Sequence, residues 1–78
     1  MDMKAYDYEK ARQLISEAMA WGVEAGYEIK NLSDLSKVTG VSRAVMYETY
    51  KMDKCSVTTH VKLMKFIYTA KSKIKSNS

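Results

Sequence analysis

The chain has no proline, one cysteine, one phenylalanine, one tryptophan and three glycines among 78 residues. Without proline, nothing breaks a helix from within, and the few glycines leave few places for left-handed turns. The single thiol, Cys55, cannot close an internal disulfide and suits a reducing compartment, so a cytoplasmic protein is expected. The longest unbroken apolar stretch is four residues, as at Ala18 to Trp21, too short for a membrane span or a signal-peptide core. One histidine, His60, and one cysteine do not make a metal site, which needs three or four ligands. No carboxylate pair stands with a base, and Ser, His and Asp occur without a strand-turn-helix elbow. Neither an enzyme nor a cofactor is expected. Glycine-rich phosphate loops, internal repeats and low-complexity tracts are also missing, and no region alternates over six or more residues as a strand would.

What is present is 46% hydrophobic and 28% charged, the profile of a globular, all-helical domain. A chain of this size buries only about 60 to 65% of its unfolded surface, so it gains by pairing. The charge is divided along the chain. Residues 1 to 36 hold four basic and seven acidic groups, a net of −3, whereas residues 37 to 78 hold nine basic groups against Glu48 and Asp53, a net of +7. An acidic front and a strongly basic rear point to a polyanionic partner, nucleic acid being the commonest.

Apolar spacing predicts four helices. The first covers 5–26, with Ala11, Leu14, Ile15, Ala18, Gly22 and Ala25 on one face and Trp21 at its margin. Gly22 lets a neighbouring helix approach, and Gly26 supplies a left-handed cap. The second covers 32–38, opened by the capping box Asn31-Leu-Ser-Asp34, with Leu35 and Val38 inward, and stopped by Gly40. The third covers 43–51, capped by Ser42, with Met46, Thr49 and Tyr50 facing the body. The fourth covers 57–72, capped by Ser56 or Thr58. Its stripe is Val57, Val61, Met64, Ile67 and Tyr68, widened by Leu63, Phe66 and Ala70. The tail 73–78 is expected to fray, with Ile74 its one apolar anchor.

The segment Leu32-Ser-Asp-Leu-Ser-Lys-Val-Thr-Gly-Val-Ser-Arg-Ala-Val-Met-Tyr-Glu-Thr-Tyr-Lys51 is the informative one. Leu35, Val41 and Met46 can close a small core between two short helices joined at Gly40, crossing at about 100 to 120°. The spacing of Leu35, Gly40, Val41, Ser42 and Met46 resembles the helix-turn-helix of bacterial and phage transcriptional regulators. Ser56-Val-Thr-Thr-His-Val-Lys-Leu-Met-Lys-Phe-Ile67 looks like the helix that follows the recognition helix in the phage-repressor (Cro-like) class, which includes antitoxins. The nine-residue step from Gly26 to Leu35, with Tyr47, is similar to TetR-type DNA-binding domains, without their ligand-binding domain. The chain departs from the pattern at Ser36, where Ala is usual, and at Thr49, where a larger apolar residue is usual. Ser36 can bond back into its own helix, and Tyr50 can fill the core that Thr49 leaves thin. The resemblance implies a lambda-repressor-like fold of four to five helices in one domain.

It also implies that the start of the third helix meets DNA. Helical geometry independently exposes Arg43, Ala44, Tyr47, Glu48 and Lys51 on the side away from Met46 and Tyr50. Arg43 suits a bidentate guanine contact, Ala44 a thymine methyl, and Glu48 a cytosine amine or backbone repulsion. Tyr47 suits a phosphate or a sugar. Ser33 and Ser42 are candidate phosphate anchors, or simply caps. Lys37, Lys51 and Lys54 supply salt-sensitive attraction without reading sequence. Tyr6, Tyr8, Trp21, Phe66 and Tyr68 exceed what a small core needs and form a candidate protein interface. Met46 and Met64 read as core filling, and His60 as a residue at the border of the core or of a subunit contact.

The expected function is therefore a repressor-like regulator, phage or prophage in style. It would bind operator DNA as a homodimer with recognition helices about 34 Å apart. The alternatives are an antitoxin-like or anti-regulatory module that holds a second protein, and an architectural or recombination-accessory DNA binder.

Overall fold

Three- and four-residue apolar spacing folds most of the chain into helices, and the ends of those helices hold one another. The structure, a computed structural model, describes residues 8–76. Its elements are β1 (Tyr8–Glu9), α1 (Ala11–Glu24), α2 (Leu32–Thr39), α3 (Arg43–Met52), β2 (Lys54–Cys55) and α4 (Val57–Ser76). This is the expected small domain of four helices, with one addition. The two-residue strands pair antiparallel, Tyr8 opposite Cys55 and Glu9 opposite Lys54.

That pairing corrects the start of the first helix. Lys10 adopts the left-handed conformation, φ 59°, so the helix begins at Ala11 and not at residue 5; residues 5–7 lie outside the described residues. The side chain of Lys10 does not cap α1. Asp53 caps it instead, from the far end of α3: its Oδ1 accepts the Arg12 N–H at 2.9 Å and its carbonyl accepts the Ala11 N–H at 3.3 Å. Asp53 is itself left-handed, φ 59°, and ends α3 by donating its N–H to the Thr49 carbonyl, a conformation Asp tolerates better than most residues. The Arg12 guanidinium answers by donating to the carbonyls of Tyr50, at 2.8 Å, and Lys51, at 3.2 Å. It also lies 5.6 Å from the Tyr50 ring centre. Each helix end therefore satisfies the orphan groups of the other, and a cation stands at the negative end of α3.

The local caps follow the sequence. Tyr27 N–H bonds the Gly22 carbonyl and Gly26 N–H the Val23 carbonyl, the paired bonds of a Schellman turn, with Gly26 at φ 101°. Asn31 Oδ1 accepts the Asp34 N–H, and Asp34 Oδ2 accepts the N–H of Lys30, one residue outside the usual capping-box partner. Ser56, rather than Thr58, opens α4 by accepting the Thr59 N–H.

The core is built from Ile15 and Ala18 of α1, Ile29, Leu35 of α2, Val41, Met46 of α3, and Leu63, Phe66 and Ile67 of α4. Each large aliphatic side chain buried there contributes about 1.5–3 kcal/mol. The inward stripe of α4 is Thr59, Leu63, Phe66, Ile67 and Ala70, whereas Val57, Val61, Met64 and Tyr68 face outward. The expected central stripe is thus the outer one, Ile67 excepted, and Met64 is not core filling. Gly22 decides the phase. A Cβ there would stand 3.0 Å from the Phe66 ring and would overlap Ile29 Cδ1, so the missing side chain admits Phe66. Tyr27 meets that ring edge-on at 5.0 Å.

The tail is also corrected, because α4 continues to Ser76. Lys71 Nζ sits 4.8 Å from the centre of the Trp21 ring and Lys73 Nζ 4.6 Å from that of Tyr27. Such contacts contribute about 0.5–1 kcal/mol at exposed sites, and Ile74 packs near Trp21 and Ala20. Cys55 is buried, and burial pushes its thiol pKa up, leaving it protonated and unreactive at neutral pH.

Two substitutions test these junctions. Arg12→Ala removes both carbonyl bonds at the end of α3 and is expected to cost about 1–2 kcal/mol, lowering Tm by roughly 5–10 °C, with Arg12→Lys recovering part of the loss. Gly22→Val inserts a branched side chain where Phe66 and Ile29 already sit and is expected to cost about 2–3 kcal/mol despite better helix propensity. Thermal unfolding followed by circular dichroism measures both.

Candidate functional site

The site is the helix pair α2–α3 and the outer side of α3. Gly40, at φ 82°, ends α2 in a conformation that a Cβ would strain, and its N–H bonds the Ser36 carbonyl. Thr39 Oγ1 donates to the Leu35 carbonyl at 2.8 Å and accepts the Val41 N–H at 3.4 Å. Val41 then turns inward, and Leu35, Val41 and Met46 are all buried, the trio the spacing pointed to. Ser36 donates to the Ser33 carbonyl at 2.7 Å, so the small residue at the helix crossing is satisfied within its own helix. Ser42 Oγ accepts the Val45 N–H at 3.2 Å and starts α3.

From α4, Lys62 Nζ donates to the Gly40 carbonyl at 3.2 Å. This long-range bond ties the turn to the longest helix of the domain. Lys62 is a site residue that the sequence does not single out, and nothing local marks it, since its partner is 22 residues away.

Among the described residues, the outer side of α3 is open to solvent. Met46 and Thr49 point into the body, and Arg43, Ala44, Tyr47, Glu48 and Lys51 are all exposed. At about 100° per residue, Ala44, Glu48 and Lys51 lie opposite the core, with Arg43 and Tyr47 on one flank and Val45 and Met52 on the other. Val45 and Met52 are each more than 40% exposed. They belong to this surface as well. Tyr47 and Tyr50 border a shallow cleft with Met19, Asn31 and Leu32. Tyr50 does not fill the core beside Thr49, as expected, but is 43% exposed. The Arg12 guanidinium lies over its ring.

The remaining candidates separate. Lys37 and Lys54 are exposed and Ser33 is half-buried in the first turn of α2. The Ser42 hydroxyl is engaged as a cap. Of the aromatic set, Tyr6 lies outside the described residues. Tyr8 stacks on His60 at 3.9 Å between ring centres, and Trp21 is half-buried beneath Lys71. Tyr68 is 74% exposed. Phe66 is only 6% exposed and leaves the interface set, because the notch at Gly22 takes its ring. Among the described residues, no three metal-ligating side chains gather and no helix is long and apolar enough to cross a membrane.

One feature of α3 works against stability. Thr49 is fully buried, and its Oγ1 has no hydrogen-bond partner among the described residues. An unpaired buried hydroxyl costs about 1–3 kcal/mol. Thr49→Val, which exchanges that hydroxyl for a methyl of similar volume, is expected to raise Tm by roughly 5 °C in a thermal melt without altering the surface of α3.

No family model, no curated protein and no solved structure matches the chain.

Proposed function

We propose that α2 and α3 are a helix-turn-helix, and that the protein is a repressor-like regulator binding operator DNA as a homodimer. The observation that carries this reading is the outer side of α3, unobstructed from Arg43 to Lys51, on a helix held at its back and at both ends. A helix so presented matches the major groove in width and in the need for a fixed approach angle. The lambda-repressor-like character rests on the spacing of Leu35, Gly40, Val41, Ser42 and Met46 and on the helix that follows. The net charge of +7 after residue 36 supplies the attraction for phosphates.

In this arrangement Arg43 forks onto a guanine. Ala44 and Val45 offer methyl-sized apolar contacts to thymine, and Glu48 accepts from cytosine or repels the backbone to enforce register. Tyr47, Lys37, Lys51 and Lys54 meet phosphates, with the N–H groups of α2 and α3 beside Ser33 and Ser42. The protein acts by occupying promoter DNA, with no chemistry of its own.

The test is selection of bound sequences from a random duplex pool, followed by fluorescence anisotropy on the recovered site. An inverted repeat is expected, and recovery of unenriched sequence would overturn specific recognition. On the selected duplex, Arg43→Ala is expected to weaken binding about 10- to 100-fold, equivalent to about 1–3 kcal/mol, and to relax preference at one base pair per half-site. Lys54→Ala should instead weaken binding to all sequences alike and lower the slope of log K against log salt by about one for each phosphate no longer neutralised.

A further inference from the structure

The outer face of α4 carries a second apolar stripe that no other described residue covers. Val57, Val61 and Met64 are each about 45% exposed and Tyr68 is 74% exposed. Their spacing of four, three and four residues is that of a coiled-coil seam. They fall within an arc of about 60° on the helix, along a strip roughly 16 Å long. Together they present on the order of 400 Å² of largely apolar surface, within the range of patches that mark an interaction site on a small protein.

Three observations favour a second copy of this chain as the occupant. The stripe is self-complementary. If two α4 helices cross antiparallel, with the two-fold axis at the level between Lys62 and Leu63, Val57 lies opposite the second copy's Tyr68 and Val61 opposite the second copy's Met64. A small side chain then faces a large one at every step, and each contact occurs twice, as an isologous interface requires.

The charge permits it. α4 carries five lysines and no acid, but three of them are turned onto the domain itself. Lys62 is bonded to the Gly40 carbonyl, Lys71 lies over Trp21 and Lys73 over Tyr27. Lys65 flanks the stripe on the same side as Thr58, and in the antiparallel register it falls nearest the second copy's Thr58, a neutral side chain, while His60 lies on the other flank, stacked on Tyr8. Lys75 lies two turns beyond Tyr68, outside the overlap. The area fits as well. With the flanking stems of Thr58, Lys65 and Thr69, each copy would bury roughly 600 Å², giving a total at the weak end of specific dimers.

We infer that the stripe Val57, Val61, Met64 and Tyr68 is a homodimer surface on which α4 packs antiparallel against α4 of a second copy. This deepens the operator-binding reading, on which it rests for its purpose, by naming the face that pairs two recognition helices.

Sedimentation equilibrium of the full chain without DNA tests it. A reversible monomer–dimer equilibrium with Kd on the order of micromolar is expected. Val61→Glu and Met64→Lys, each at a site already exposed, should weaken it about 100-fold while leaving the circular dichroism spectrum and Tm nearly unchanged. Val61→Glu combined with Met64→Lys in one chain should restore dimerisation, because the antiparallel register sets the two substituents against each other across the axis. Mixed under oxidation, the Val57→Cys and Tyr68→Cys variants should cross-link to each other and not to themselves, against little background from buried Cys55.

A chain that stays monomeric at millimolar concentration, a dimer indifferent to Val61→Glu, or self-cross-linking of the Val57→Cys variant would each overturn the proposal. A monomer that still prefers one duplex sequence would remove this surface and leave groove reading standing. A dimer of this register with no duplex preference would do the reverse.

Discussion

The fold turns on the junction where the end of α3 meets the start of α1. Both termini leave backbone groups that their own helices cannot satisfy, and the chain solves the two deficits together. Asp53 turns left-handed, closes α3 with its N–H and offers both its carboxylate and its carbonyl to the first N–H groups of α1. Arg12 reaches the other way and covers the last carbonyls of α3. The polarity is correct in both directions, an anion at the positive end of one helix and a cation at the negative end of the other. The β1–β2 pairing follows from this, because the residues on either side of the junction are brought alongside each other. Without the junction, α3 would lose its hold on the start of α1, keeping Met46 and Thr49 as its buried anchors.

The second constraint is steric, and it decides which side of α4 becomes core. Two apolar stripes compete along that helix. One holds Leu63, Phe66, Ile67 and Ala70, the other Val57, Val61, Met64 and Tyr68. The first prevails because Gly22 leaves a notch in α1 that accepts an aromatic ring, with Ile29 and Tyr27 closing round it. Fixing Phe66 in the notch fixes the rotation of the whole helix, since neighbouring positions follow at about 100° each. The loser is left on the surface, with its hydrophobic character intact.

This explains what is legible in the sequence and what is not. Caps at Asn31 and Ser42, the glycine turns at Gly26 and Gly40, and the trio Leu35, Val41 and Met46 all depend on residues a few positions apart, and all read correctly; the cap of α4 is one of the two residues the sequence offers, Ser56. The outward face of α3 from Arg43 to Lys51 follows from the same short-range periodicity, so the exposure of the candidate site is legible too. The start of α1 is not, because Lys10 is held left-handed by pairing with residues more than forty positions away. Arg12 and Lys62 stay hidden for the same reason, since each binds backbone carbonyls, which carry no sequence signal. The phase of α4 is ambiguous because both stripes satisfy the helical period. Gly22 marks a place of close approach, but only the assembled fold pairs it with Phe66. The continuation of α4 past residue 72 depends on lysines lying over Trp21 and Tyr27, which a pattern of polar residues reads as a solvated tail.

A helix that reads a groove must be held more rigidly than its own stability requires, because a small error in angle misplaces every contact along it. α3 meets that demand at several points. Ser42 fixes its first turn, Met46 anchors its middle, Arg12 grips its last carbonyls, and Lys62 fixes the turn that precedes it. Lys62 sits on α4 between Val61 and Met64, so the helix that steadies the turn also bears the uncovered stripe. If two copies meet along that stripe, the path from one α3 to the other runs through α4 and the short Gly40 turn that Lys62 holds in each copy. The separation of the two α3 helices would then be set by packing rather than by a flexible linker, the condition that the proposed reading of two half-sites requires.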